Sequence, residues 1–167
     1  MNRIFLLGYM GCGKTTLGKR LAAETGFAFV DLDGFIEQKY HKTVADIFAE
    51  MGQDKFREIE KNALIEVAAF ENVVIATGGG APCFFNNMEI MNNAGLTVYI
   101  KMSPAQLAER LENSRAGKRP LIAGKTGEEL RSFIENGLMQ REQFYLQAKL
   151  FVAGSDDEII TKIRKTL

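Results

Sequence analysis

Short apolar runs separated by helical periodicities dominate this chain. Five runs, at 4–7, 27–30, 73–76, 97–100 and 150–153, are rich in Ile, Val and Phe. They are mostly continuous rather than alternating, as strands buried on both faces are. Helix starts are marked between them. Ser103-Pro104-Ala105-Gln106 forms a capping box with Pro at the first helical position. Thr126-Gly127-Glu128-Glu129 and Ser155-Asp156-Asp157-Glu158 fit the same box. Thr43 and Asp54 are N-cap candidates for two more helices, and Gly26 stands where a helix-terminating glycine belongs. Strands alternating with helices predict an α/β fold, a parallel sheet flanked by helices on both sides. In such sheets ligands bind outside the carboxyl ends of the strands. The residues just after each run are therefore the candidates for chemistry.

Composition narrows the class. At 167 residues the chain is expected to form a single domain over 1–167. Lys plus Arg number 21 and Asp plus Glu 21, so no net charge marks a duplex nucleic-acid surface. Apolar residues at 46% and charged residues at 25% are globular values and exclude a disordered chain. Two cysteines, Cys12 and Cys83, are too few for a disulfide scaffold, and with one His they make no zinc site. The apolar stretch before Gly8 is too short for a signal peptide or a membrane span. The expectation is a cytoplasmic protein with neither a membrane nor a nucleic-acid partner.

The first run leads into Gly8-Tyr9-Met10-Gly11-Cys12-Gly13-Lys14-Thr15, a match to the phosphate-loop pattern G-x-x-x-x-G-K-[ST]. A strand before it and a helical pattern over 16–24 after it supply the required context. Glycines let the backbone wrap an anion with its N–H groups, and the helix adds its positive end. Gly11, Cys12, Gly13, Lys14, Thr15 and Thr16 are thus candidate nucleotide ligands. Lys14 would reach the β- and γ-phosphates, and Thr15 would give its hydroxyl to Mg²⁺. Cys12 reads as a small residue in a tight loop. Neither N-K-x-D nor T-K-x-D, the guanine-reading patterns, occurs, so ATP is the expected nucleotide.

Other strand ends carry further groups. Asp31 and Asp33 lie at i and i+2, on one side of an extended segment. One suits Mg²⁺ through its waters and the other a proton from an attacking hydroxyl. The alternative for Asp33 is to cap a helix over 34–39. In the helix after Asp54, Phe56, Ile59, Ala63, Leu64 and Val67 form an apolar stripe that contains Glu60. A carboxylate there needs a partner, and Arg57, three residues back, is in reach. That pair is either a structural salt bridge or a holder for an Arg fork that grips a substrate carboxylate. Thr77-Gly78-Gly79-Gly80 allows a ligand to approach the backbone, or is a plain turn. The third run ends without an Asp, so metal support falls to Thr15, Asp31 and the nucleotide. Residues 113–125 hold four cations, two glycines and a proline, which suits either a solvated loop or a lid over ATP. In the lid reading Arg119 approaches the transferring phosphoryl group and Arg115 the adenine. Arg141, with Tyr145 one turn later on the same face, has no role from spacing alone.

Taken together, Gly8–Thr15 as G-x-M-G-x-G-K-T, Asp31-x-Asp33, Phe56-Arg57-x-x-Glu60, Gly78-Gly79-Gly80, Arg119-Pro120-Leu121 and Arg141 with Tyr145 resemble shikimate kinase. The motifs occur in order over nearly the whole chain. The resemblance implies a P-loop kinase fold like that of nucleoside monophosphate kinases, with a five-stranded parallel sheet. The substrate segment would lie at about 32–61 and the mobile lid at about 113–125. It implies transfer of the ATP γ-phosphoryl group to the 3-hydroxyl of shikimate, with Mg²⁺, by a monomer. Asp33, Arg57, Gly79, Gly80 and Arg141 would bind shikimate, with Arg57 and Arg141 on its carboxylate. Lys14, Asp33 and Arg119 would be catalytic, Thr15 and Asp31 would serve the metal, and Arg115 would sit on the adenine. Two competing readings are a kinase of another hydroxy acid such as gluconate, and a slowly hydrolysing nucleotide switch.

Overall fold

The computed structural model describes residues 2–113, 124–125 and 127–167. In chain order the elements are β1 (Arg3–Leu7), α1 (Lys14–Thr25), β2 (Ala28–Asp31), α2 (Leu32–Tyr40), α3 (Val44–Val67) and β3 (Val73–Ala76). A 3-10 turn at Ala81–Cys83 follows. Then come α4 (Asn87–Ala94), β4 (Leu96–Ile100), α5 (Pro104–Asn113), α6 (Gly127–Tyr145), β5 (Leu150–Val152) and α7 (Asp156–Arg164). The strands form one sheet in the order β2-β3-β1-β4-β5, every pairing parallel.

β1 lies at the centre, with Leu6 paired to Ala76 of β3 and to Val98 of β4. Its residues Ile4, Phe5, Leu6 and Leu7 have no solvent exposure. Both sheet faces are covered there, so both parities of side chain are apolar and the run is continuous rather than alternating. Each such side chain contributes about 1.5–3 kcal/mol of burial. The edge strands are less enclosed, and Ala28 and Phe151 are exposed. Among the described residues no helix is long and apolar enough to cross a membrane.

The helix caps follow the sequence signals. Thr43 accepts from the Asp46 amide at 3.1 Å, and Ser155 with Glu158 forms the reciprocal capping box. Ser103 and Gln106 pair in the same way. Gly26 ends α1 with a left-handed φ of 76°. Thr126 lies outside the described residues.

Two expectations change. The break in α3 falls at Gly52, with φ 81° and ψ 169°, rather than at Asp54. α2 begins at Leu32, directly after the strand, so Asp31 and not Asp33 is its N-cap, and the two aspartates do not share an extended segment. One helix, α4, is not among those read from the sequence, although Asn86 stands at its N-cap with Glu89 in its first turn. Its buried apolar side chains are Met88 and Met91, set within a run of Asn residues.

Candidate active site

The phosphate loop joins β1 to α1 at the carboxyl edge of the sheet. Gly11 and Gly13 take φ of 88° and 90°, a region open to glycine at little cost. The Cys12 amide donates to the Tyr9 carbonyl at 3.2 Å, closing the turn. Lys14 Nζ lies across its own loop and donates to the carbonyls of Gly8 (2.5 Å) and Tyr9 (3.3 Å). Thr15 and Thr16 follow on the exposed first turn of α1. α5 packs against the loop closely enough to exclude side chains. A Cβ on Gly11 would stand 2.9 Å from Leu111, and one on Gly13 would stand 2.9 Å from Arg110 Nη2.

That contact places Arg110 beside the nucleotide loop, a position spacing could not reveal because it depends on how α5 packs. The only sequence signal for it is a cation in the last turn of α5. Arg115 and Arg119, the cations assigned from sequence, lie outside the described residues.

The two aspartates of the next strand edge divide their work. Asp31 Oδ2 accepts from the Gly34 amide at 2.9 Å. Asp33, in the first turn of α2, turns its carboxylate to the glycine loop, where a Cβ on Gly78 would meet both oxygens at 3.2 and 3.3 Å. Burial pushes the Asp33 carboxyl up to about 6, and the charges of Asp31 and Glu37 add to this. Lys14 and Arg57 oppose the rise, so Asp33 feels cations from both the nucleotide side and the arginine side.

The apolar stripe of α3 is buried as its period requires, and Glu60 lies inside it at 1% exposure. Arg57 Nη1 donates to Glu60 Oε1 at 2.8 Å. Burial raises the Glu60 carboxyl, and the Arg57 charge counters it. Three phenyl rings, Phe84, Phe56 and Phe48, surround the Arg57 guanidinium at 4.1, 5.4 and 5.8 Å from their centroids. Arg57 Nε is buried and has no hydrogen-bond partner among the described residues, and Nη2 faces Gly80, where a Cβ would come within 2.8 Å. Glu60 thus holds the Nη1 end of the fork, and Nη2 is turned to the glycine loop.

Arg141, on α6, meets the same loop at the neighbouring glycine. A Cβ on Gly79 would stand 3.2 Å from Arg141 Nη1, 3.4 Å from the Met10 amide nitrogen and 3.6 Å from the Gly8 carbonyl. Tyr145, one turn on, donates its hydroxyl to the Gly79 carbonyl. The loop 78–80 therefore touches Asp33, Arg57, Arg141 and the phosphate loop together. Asp33, Arg57, Gly79, Gly80 and Arg141, picked from distant parts of the sequence, are neighbours in space. Cys83 lies near both arginines, but burial lifts its thiol to about 11, which keeps it protonated and unreactive.

A family model described as Shikimate kinase matches residues 10–167. A shikimate kinase of Parabacteroides distasonis is 57% identical over 150 residues, covering 90% of this chain and 86% of the relative. The crystal structure of a shikimate kinase from Bacteroides thetaiotaomicron aligns with a TM-score of 0.93 at 45% identity, over 99% of this chain and 97% of that one. A shikimate kinase from Acinetobacter baumannii, solved in complex with shikimate, aligns with a TM-score of 0.87 at 31% identity, over 99% and 92% of the two chains. A gluconokinase from Sinorhizobium meliloti, at 18% identity and a TM-score of 0.62 over 96% and 88%, shares the fold alone. The aligned structures span the sheet, the phosphate loop and the arginine-lined glycine loop, and the chain belongs to the shikimate kinase family.

Proposed function

We infer that this chain transfers the γ-phosphoryl group of ATP to the 3-hydroxyl of shikimate, giving shikimate 3-phosphate and ADP. The observation that carries this reading is the junction at Gly79. One carboxylate and two arginines gather on a glycine loop that packs directly on the phosphate loop. A small polyhydroxy acid fits that donor set. Asp33 takes a hydroxyl, and Arg57 and Arg141 take one carboxylate, with Arg57 able to offer parallel donors. Gly79 and Gly80 keep the backbone close to the acceptor.

The chain's own groups supply the rest. Lys14 leaves the Gly8 and Tyr9 carbonyls for the phosphates and offsets charge on the transferring group. Arg119 is proposed to act on the same group, Arg115 on the adenine, and Arg110 on the nucleotide side beside Gly13. Gly11, Cys12, Gly13, Thr15 and Thr16 supply the backbone cradle. The Thr15 hydroxyl and the remaining oxygen of the Asp31 carboxylate would serve Mg²⁺, a hard cation that takes oxygen donors. Mg²⁺ characteristically keeps waters and shares phosphate oxygens rather than requiring a full protein cage. When bound, Mg²⁺ neutralises charge on the β- and γ-phosphates. The enzyme is proposed to act as a cytoplasmic monomer with residues 1–167 as one catalytic unit. A nucleotide switch would leave the Arg57–Glu60 pair without a task.

Asp33 provides the test. A carboxylate accepts a proton only when ionised, and this one ionises near 6. The kcat/KM for shikimate is expected to rise with pH through about 6 and then level. Asp33→Asn should abolish that limb and lower kcat by about 10²-fold or more, the scale of general-base loss. Initial rates between pH 5 and 8 measure both. An unchanged limb in Asp33→Asn would remove Asp33 from the proton-accepting role.

A further inference from the structure

Tyr9 belongs to the phosphate loop, but its side chain serves another part of the site. The residue is 2% exposed. Its ring lies beneath the Arg141 guanidinium, 5.6 Å from the centroid. Its hydroxyl end is pressed on α6 at Gly137, where a Cβ would stand 2.7 Å from Tyr9 Oη, 3.1 Å from Cε1 and 3.3 Å from Cζ. Positions 137 and 141 are i and i+4, so the ring runs along one ridge of α6 from the glycine to the arginine. Glycine is a poor helix former, and its place in the middle of α6 is explained by the ring it admits. The backbone of Tyr9 is engaged as well, since its carbonyl accepts from Lys14 Nζ.

We propose that Tyr9 is a positioning residue for Arg141: its ring, admitted by Gly137, holds the guanidinium against Gly79, so the ATP-binding loop also sets affinity for the acceptor carboxylate. This rests on the assignment of Arg141 to that carboxylate. The aromatic face is the working part, because a cation is drawn to the negative face of a ring. The hydroxyl is not required for that attraction, so phenylalanine keeps the function and leucine does not.

Steady-state kinetics on the full chain test the proposal. Tyr9→Leu should raise the KM for shikimate about tenfold, within the range of a cation–π contact, with kcat and the KM for ATP within twofold of the parent. Tyr9→Phe should keep all three within twofold. Gly137→Ala should raise the shikimate KM by displacing the ring. Tyr9→Phe placed on Gly137→Ala should recover part of that loss, because the closest clash is with the hydroxyl. Arg141→Ala is the reference. If it leaves the shikimate KM unchanged, the carboxylate assignment fails and the proposal with it. If Arg141→Ala raises the KM and Tyr9→Leu does not, Tyr9 only fills the core and the proposal alone is overturned. Should Tyr9→Leu not fold, Gly137→Ala and its double variant decide: no KM change, or no recovery, overturns the proposal.

Discussion

Replacing Arg57 with alanine is expected to raise the KM for shikimate about 10- to 150-fold, the loss of charge-assisted hydrogen bonds worth about 1.5–3 kcal/mol. The same change should destabilise the fold, which removing a purely surface ligand-binding arginine would not do. Arg57 is the partner of Glu60, whose side chain is 2% exposed, so its removal strands a buried carboxylate. Breaking such a pair costs roughly 3–5 kcal/mol. The cost depends on pH in a definite direction. Glu60 already has a raised pKa, and losing its cation raises it further. A carboxyl whose folded pKa exceeds its unfolded value favours the fold at low pH and loses that favour as pH rises through the folded pKa. The stability gap between Arg57→Ala and the parent should therefore be smallest in acid and widen toward neutrality. A double variant, Arg57→Met with Glu60→Leu, separates the two effects. It should recover most of the thermal midpoint while the shikimate KM stays high. If the KM recovers with the midpoint, Arg57 is a structural ion-pair partner and not a substrate ligand.

The other large effect belongs to Lys14. Lys14→Ala should lower kcat by about 10²- to 10³-fold, the usual consequence of removing one fixed donor from developing charge. Its effect on the unliganded fold should be small. Among the described residues, Nζ hydrogen-bonds to the Gly8 and Tyr9 carbonyls and the Cys12 thiol of its own half-buried loop, and water can take its place at those acceptors. Kinetics at saturating substrates and a thermal melt check the two halves together. A kcat within threefold of the parent would mean that Lys14 is not on the transferring phosphates.

How far the sequence reaches can be judged from these same residues. The inner strands β1, β3 and β4 were readable because burial on both faces leaves uninterrupted apolar runs, as in Ile4 to Leu7, and the edge strands β2 and β5 because their runs stay mostly apolar although Ala28 and Phe151 are exposed. The Arg57–Glu60 pair was readable because a carboxylate inside a 3.6-period apolar stripe must be matched by a cation, and Arg57 stands one turn away. The phosphate loop was readable from one local pattern. The division of labour between Asp31 and Asp33 was not, since it turns on a helix starting with no connecting residue after β2. The break in α3 was readable at Asp54, two residues past Gly52, where the apolar face changes: Ile47 falls about 180° from Phe56 at 100° per residue. Arg110 and the Tyr9–Gly137 contact depend on how α5 and α6 settle on the phosphate loop, and no local signal carries that packing. Arg141 stands between these cases. Spacing gave it no role, and the structure brings it to Gly79, next to the glycine that Arg57 meets.

The most direct test of the central claim is ADP release from Mg-ATP with shikimate, gluconate, a nucleoside monophosphate panel or no acceptor, with the product's phosphate located by phosphorus–proton coupling. The expected result is turnover with shikimate alone and phosphate on the 3-oxygen. Turnover that follows another acceptor, or that proceeds equally with none, would contradict it.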